Sequence, residues 1–341
     1  MHAYQITPGG GIDSLEAVKL PKRELQYHEV RVKVRAVSLN YRDLMVAQGT
    51  YPTSGEGAVV PGSDAAGEVV EVGPGVERFR VGDRVATAFF PEWEEGKVTP
   101  GKTAVTLGAG SNGVLSEELV IKEGGLVAVP AHLSYEEAAT LTCAGVTAWN
   151  ALFVEGGVKA GDTVLLLGTG GVSVWALQLA KAAGVRTIVT SSSDTKLERA
   201  RALGADVLIN YRKTPEWQDE VLRATNGEGV DLVLEVGGQD TLARSIASAG
   251  MGGKVAVIGG LGGGFETSVQ LLGIVIGGKS MSGIYVGSRK MQEDLSRLVS
   301  QRNIKPVVDR VFDIHEAREA YQHLASGNHF GKVVISVKPR Y

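Results

Sequence analysis

Residues 164–184 read VLLLGTGGVSVWALQLAKAAG, an apolar run that passes through a glycine-rich turn into apolar positions at helical spacing, Val174, Leu177 and Ala180. The pattern predicts a strand, a tight turn and a helix. Gly168 would make the turn, and Gly170 would leave room beside the backbone. The uncapped N–H groups of Gly171, Val172 and Ser173 would open the helix at the positive end of its dipole. This arrangement receives a pyrophosphate and so points to a dinucleotide cofactor. Ser173 stands where a third glycine is usual, and a residue that small still allows close packing of helix on strand. A bare GxGxxG is weak evidence. Its weight here comes from the strand before it and the helix after it, and the competing reading is a glycine turn that binds nothing.

At 341 residues the chain exceeds one ordinary core, so two domains are expected. A formal charge of −3 gives no general attraction for nucleic acid or for an anionic membrane. No uninterrupted apolar run reaches about 18 residues and no secretory leader is recognisable, so the expectation is a cytoplasmic protein. One cysteine, Cys143, excludes an internal disulfide and any site built on several thiolates.

The texture changes along the chain. Residues 30–37, VRVKVRAV, alternate apolar and charged side chains as a half-buried strand does, and 67–85 continue in that style around the Gly73-Pro74-Gly75 turn. The first third therefore reads as a compact β-barrel. Ser134 with Glu137 forms a capping box opening a helix. From there strands and helices alternate, with strands expected at 163–167, 187–190, 207–209, 232–236, 254–258 and 279–284. That alternation means a parallel sheet covered by helices. A last strand, 332–337, is expected to rejoin the first domain. The expected division is 1–130, 131–284 and 285–341, with the cofactor beyond the carboxyl ends of the parallel strands, between the domains.

LNYRD (39–43), PGSDAAGEVVEVGPGV (61–76), GDRV (82–85), EEAATLTCAGVTAW (136–149) and the glycine loop occur in that order. Together they resemble the medium-chain dehydrogenase/reductase superfamily over nearly the whole chain, and most closely its zinc-independent quinone oxidoreductase and enoyl reductase branch. The resemblance implies an α/β fold, a GroES-like β-barrel catalytic domain plus a doubly wound Rossmann domain. Zinc alcohol dehydrogenases of that superfamily hold their catalytic metal with a cysteine, a histidine and a second cysteine. The matching positions here are Asn40, Ser63 and Cys143, of which only the last is a customary zinc ligand. Residues 91–113, where those relatives carry a structural zinc lobe, contain no cysteine. No metal is therefore expected, and Cys143 reads as a buried small hydrophobe.

That absence constrains the chemistry. An alcohol gives up a proton of pKa near 16, whereas zinc brings bound water to about 7, a difference of roughly 12 kcal/mol. Hydride addition to a quinone or a conjugated carbonyl compound asks for less, because hydrogen-bond donors can stabilise the enolate oxygen. The expected activity is an NAD(P)H-dependent oxidoreductase acting on a small quinone or α,β-unsaturated carbonyl compound. An alcohol dehydrogenase, and a nucleotide-binding crystallin-like or RNA-binding protein with little catalysis, remain as alternatives.

NAD-selective relatives place an acid at the end of the second Rossmann strand, and here that position is Ser191. Ser191, Ser192 and Lys196 could receive a 2′-phosphate, and Tyr211 matches a residue flanking the adenine ribose in NADPH-using relatives. NADP(H) is thus the expected cofactor. Two alternatives stay open: Asp194 turned inward onto the ribose, or a serine run that only caps a helix. The resemblance further implies that Asn40 meets the nicotinamide ribose region and that Thr147 lies beside the ring. Ile258, Gly259, Ile284 and Tyr285, at the ends of late strands, would pass near it. Tyr51 matches a proposed proton donor, with the plain alternative of a tyrosine that closes a loop; Tyr41 is a second choice at a helix start. Asp64 is expected to orient Asn40 or Arg42. Phe89, Phe90 and Trp93 either wall the substrate pocket or pack beneath a loop. The strand near 279–286 is a plausible sheet edge, and relatives use that edge to form a homodimer.

Overall fold

The computed structural model describes residues 1–52, 57–262, 264 and 266–338. The chain divides into two compact units, one of Met1–Val146 with Gly287–Tyr341, the other of Thr147–Val286. The boundaries thus fall later than the 131 and 285 expected. The helix Tyr135–Ala139, opened by the Ser134–Glu137 capping box, packs on strands of the first unit and keeps the beginning of that helical run there. At the other boundary the N–H of Ile284 still bonds Val257, which holds the chain to the second unit beyond its last strand.

The first unit contributes β1 (His2–Gln5), β2 (Glu16–Lys19), β3 (Glu29–Leu39), β4 (Asp64–Val72), β5 (Arg84–Thr87), β6 (Glu118–Lys122) and β7 (Leu126–Ala128). The second supplies β8 (Thr163–Leu167), β9 (Arg186–Ser191), β10 (Val207–Asn210), β11 (Val230–Glu235), β12 (Ala249–Val257) and β13 (Ser280–Gly283). The chain then returns to the first with β14 (Val308–Asp313) and β15 (Lys332–Ser336).

In the first unit a seven-stranded, mainly antiparallel sheet runs β14-β15-β3-β4-β5-β7, with β6 also on β3. The expected return of the last strand is seen in β15, which pairs antiparallel with β3. Because β3 is paired along both sides, it is buried more completely than its alternating sequence suggests. Arg31 is accordingly buried, its guanidinium held by Glu71 at 2.7 Å and Glu118 at 3.3 Å. Val30, Val32, Val34, Val37 and Leu39 feed a core completed by Leu44 and Val46 of the helix Tyr41–Gln48 and by Tyr321 and Leu324 of the helix Ala317–Ala325.

The second unit is a six-stranded parallel sheet in the order β10-β9-β8-β11-β12-β13. Counted from β8 this is 3-2-1-4-5-6, the doubly wound order whose reversal lies between its first and fourth strands. Its strands are near-continuous apolar runs, as burial on both faces requires. Leu165, Val233, Ile188 and Val255 form the core with Trp217, Val221 and Ile246 from the covering helices. Since all six strands point the same way, their carboxyl ends share one edge.

Candidate active site

The glycine loop follows β8 as expected. Gly168 has φ +72°, a left-handed backbone that favours glycine, and its N–H approaches the Thr190 hydroxyl at 3.4 Å. Gly170 has an ordinary φ of −77°, so its conformation would admit any residue. A Cβ built there meets nothing within 4 Å. Packing inside the protein does not demand glycine at this position, and the open space is what a ligand approaching the backbone needs. The helix Gly171–Ala182 begins there without a side-chain cap, so Gly171, Val172 and Ser173 open a bare helix N-terminus. Ser173 does more than stay small: its hydroxyl donates to the Leu167 carbonyl at 2.6 Å and ties the helix to the end of β8. These features fit the pyrophosphate of a nicotinamide dinucleotide.

Several cofactor candidates follow the carboxyl ends of β9, β10, β12 and β13. Ser191 ends β9, buried, and Tyr211 after β10 donates its N–H to the Ser191 carbonyl at 3.1 Å. Ile258 and Gly259 follow β12, and Ile284 and Tyr285 follow β13. Thr147 is buried on the helix Val146–Trp149. The helix-cap role belongs to Ser193, whose hydroxyl accepts from the Lys196 N–H, while the Ser191 hydroxyl accepts from the Ser193 N–H at 3.3 Å. Asp194 is held by the Lys213 ammonium and the Asn210 amide, each at 2.7 Å, and the lysine contact first among them keeps its carboxyl below the usual range. Glu235, absent from the sequence-based expectations, organises the loop after β11. Buried, it accepts from the N–H groups of Gly237 at 2.6 Å and Gly238 at 2.9 Å and from the hydroxyls of Thr241 and Ser245.

In the first unit the three positions matched to metal ligands meet in a buried polar cluster. Asn40 caps the helix Tyr41–Gln48, its backbone N–H bonded to the Asp43 carboxylate at 2.8 Å. Its side-chain oxygen accepts from the ammonium of Lys332 at 2.6 Å. Ser63 donates to one oxygen of Asp64 at 2.7 Å, and the Cys143 N–H donates to the other at 3.0 Å. Cys143 lies in a widened π-helical turn, Leu141–Gly145, closed by a bond from the Gly145 N–H to Thr140, which frees the Cys143 N–H for Asp64. The residue is half-buried rather than fully enclosed, and burial, with the Asp64 charge next, pushes its thiol up to about 12. The expected orienting role of Asp64 therefore takes a specific form: it anchors Ser63, the Cys143 backbone and the Asn40 side chain.

This donor set does not fit Zn²⁺. The Asn40 oxygen is committed to the Lys332 amino group and the Ser63 hydroxyl to the Asp64 carboxyl, which leaves one thiol where zinc asks for several thiolate or imidazole donors. Among the described residues no group of three or more His, Cys, Asp or Glu side chains is placed to hold a metal ion.

Burial raises the Asp43 carboxyl to about 6, only partly opposed by the Arg42 charge. The folded state thus keeps this proton to a higher pH than the unfolded chain. The resulting penalty is absent below about pH 4, grows as pH rises and is complete above about 6, amounting to roughly 3 kcal/mol. Asp43→Asn retains an acceptor for the Asn40 N–H and removes the charge. Urea unfolding is expected to show the variant gaining on the parent steadily from pH 4 to 6 and staying ahead above it, by up to about 3 kcal/mol. A constant difference across that window would contradict the assignment.

Tyr51 is half-buried and packs against the core of the first unit. The Arg42 guanidinium lies 4.8 Å from the Tyr51 ring centre and 5.0 Å from that of Phe89, and donates to the Leu107 carbonyl at 2.8 Å. Tyr41 is exposed at its helix start. Phe89, Phe90 and Trp93 are all buried, the first two edge to face at 4.7 Å, and the Trp93 indole closes its loop onto the Gly96 carbonyl. Phe90 contacts both Phe89 and Trp93, and Phe89 meets Arg42.

Comparison with known proteins agrees with this architecture. The family description "Alcohol dehydrogenase GroES-like domain" matches residues 26–131, and "Zinc-binding dehydrogenase" matches 171–301. A zinc-type alcohol dehydrogenase-like protein of Schizosaccharomyces pombe is 44% identical over 96% of both chains. The structure of an NAD-dependent alcohol dehydrogenase superposes with a TM-score of 0.90 at 34% identity, covering 99% of this chain and 100% of that one. A quinone oxidoreductase of Pseudomonas syringae superposes with a TM-score of 0.83 at 28% identity, covering 98% and 99%. The chain belongs to the medium-chain dehydrogenase/reductase superfamily, as an oxidoreductase with a GroES-like domain and a Rossmann domain. Among the described residues no helix is long and apolar enough to cross a membrane.

Proposed function

We propose that the protein is a zinc-independent, NADPH-dependent reductase of quinones or α,β-unsaturated carbonyl compounds. The observation that carries this reading is the state of the three metal-matched side chains: an amide oxygen bonded to the Lys332 amino group, a hydroxyl bonded to the Asp64 carboxyl, and a single thiol. Without a Lewis acid, oxidation of a simple alcohol keeps its full deprotonation cost, whereas reduction of an activated C=C does not.

NADPH, when bound, supplies the hydride. The chain's part is to hold its pyrophosphate at Gly168–Gly170 and the bare helix N-terminus, and its adenine ribose at Ser191, Ser192, Lys196 and Tyr211. Thr147, Ile258, Gly259, Ile284 and Tyr285 serve the nicotinamide end. As hydride reaches the β-carbon of an enone, the C=C electron pair moves to the carbonyl oxygen as enolate. Tyr51 or water returns a proton to the α-carbon, and the net change is addition of two hydrogens.

NADPH oxidation followed spectrophotometrically is expected with quinones and enones and not with saturated ketones, in protein lacking stoichiometric zinc. The competing reading, an alcohol dehydrogenase as the names of several relatives suggest, requires zinc and turnover of a saturated ketone. Tight NADPH binding with no turnover across the panel would instead favour a non-catalytic nucleotide-binding role.

A cytoplasmic homodimer completes the proposal. β13 ends its sheet, and the helix Leu271–Gly277, which packs against the neighbouring β12, exposes Leu271, Leu272, Val275 and Ile276, each between 67 and 73%. An apolar face next to an open strand edge is a surface that a second copy can cover. Sedimentation is expected to show a dimer for the parent and a monomer for Val275→Lys combined with Ile276→Lys; a parent that sediments as a monomer would contradict it.

A further inference from the structure

We propose that Lys332 is a positioning residue that fixes the orientation of the Asn40 carboxamide; what Asn40 then does in turnover rests on the reductase reading above. Lys332 opens β15, and the antiparallel register pairs the next residue, Val333, with Leu39 at the end of β3. Its side chain is thereby brought to the point where β3 gives way to the helix Tyr41–Gln48. It is 4% exposed, and a lysine is almost never so buried unless it is paired. Its ammonium donates to the Leu39 carbonyl and to the Asn40 side-chain oxygen.

A carboxamide turned end for end has nearly the same shape, so packing alone does not decide which end is oxygen and which is NH₂. An ammonium decides it, because it can only donate and only the oxygen can accept. The NH₂ is then the opposite end, 3.5 Å from the Ser38 carbonyl and on the side of Asp64, whose charged form it helps to stabilise. The neutral amide thus links the Lys332 amino group to the Asp64 carboxyl, which itself anchors Ser63 and Cys143. Loss of the ammonium removes the constraint and lets the amide present either end.

The test is a double-mutant cycle of Lys332→Met and Asn40→Ala, read both as the single-turnover rate of NADPH oxidation and as the urea unfolding midpoint. Each single variant is expected to lose about 10²-fold in rate, the scale of a misplaced group. Because Lys332 acts through Asn40, the double variant should lose no more than about threefold beyond the worse single variant, and the midpoint shifts should likewise fall short of their sum. Lys332→Arg, which keeps a buried cation, guards against a folding failure of the methionine variant and should recover a rate within about tenfold of the parent. Additive rate losses, or an undiminished rate in Lys332→Met, would overturn the proposal. Should the parent turn over no substrate at all, the reductase reading fails by itself, and additive midpoint shifts would separately overturn the Lys332–Asn40 linkage.

Discussion

Exchanging NADPH for NADH is expected to lower kcat/KM by about 10²- to 10⁴-fold, the combined effect of two charge-assisted contacts at roughly 1.5–3 kcal/mol each. The 2′-phosphate is the only difference between the two cofactors, so the preference must come from the few groups at the end of β9. Ser191 occupies the position where a carboxylate would bind both ribose hydroxyls and repel a phosphate. Ser192 follows it, and Lys196 lies on the first turn of the next helix. The residue that could have reversed this reading is Asp194, and its carboxylate is engaged by Lys213 and Asn210. Ser191→Asp should shift the preference toward NADH, by installing the acid that NAD-selective relatives carry. Initial rates with both cofactors on both proteins measure the effect, and equal efficiencies in the parent would refute it.

What was legible in the sequence was whatever a short window encodes. The glycine loop, the helix cap at Ser134 and the six parallel strands are local patterns of spacing and polarity, and each lies within a few residues of its expected place. Chain order then carried the topology, since alternating strands and helices leave little choice but the doubly wound sheet. The candidate site was legible only in part. Asn40, Ser63 and Cys143 could be set against metal-ligand positions, but their actual partners could not be read. Lys332 lies 292 residues from Asn40 and is one of 35 basic residues, with nothing in FGKVV to mark it as buried. Only the pairing of β15 with β3 brings it there. Arg31 misleads in the same way: a charged residue in an alternating strand reads as solvent-facing until neighbours on both sides enclose it. The first compact unit runs on past residue 131, where the GroES-like match ends, because a helix start marks a change in secondary structure and not the surface on which that helix packs.

Tyr51→Phe is expected to lower kcat by about 10²- to 10⁴-fold with an enone substrate, the range found when a positioned acid is removed, while NADPH affinity stays close to that of the parent. The substitution deletes one oxygen and preserves the ring that packs on the core of the first unit and beneath the Arg42 guanidinium, so the fold and the ring stacking survive. If water delivers the proton instead, removing the hydroxyl should leave the rate within about threefold of the parent. Quinones provide an internal control, because their reduced product carries its new proton on oxygen, where solvent can supply it. A proton-donor role therefore predicts a large loss with the enone and a much smaller one with the quinone in the same Tyr51→Phe protein. Equal losses on both substrates would assign Tyr51 to shaping the pocket, and no loss on either would remove it from the mechanism.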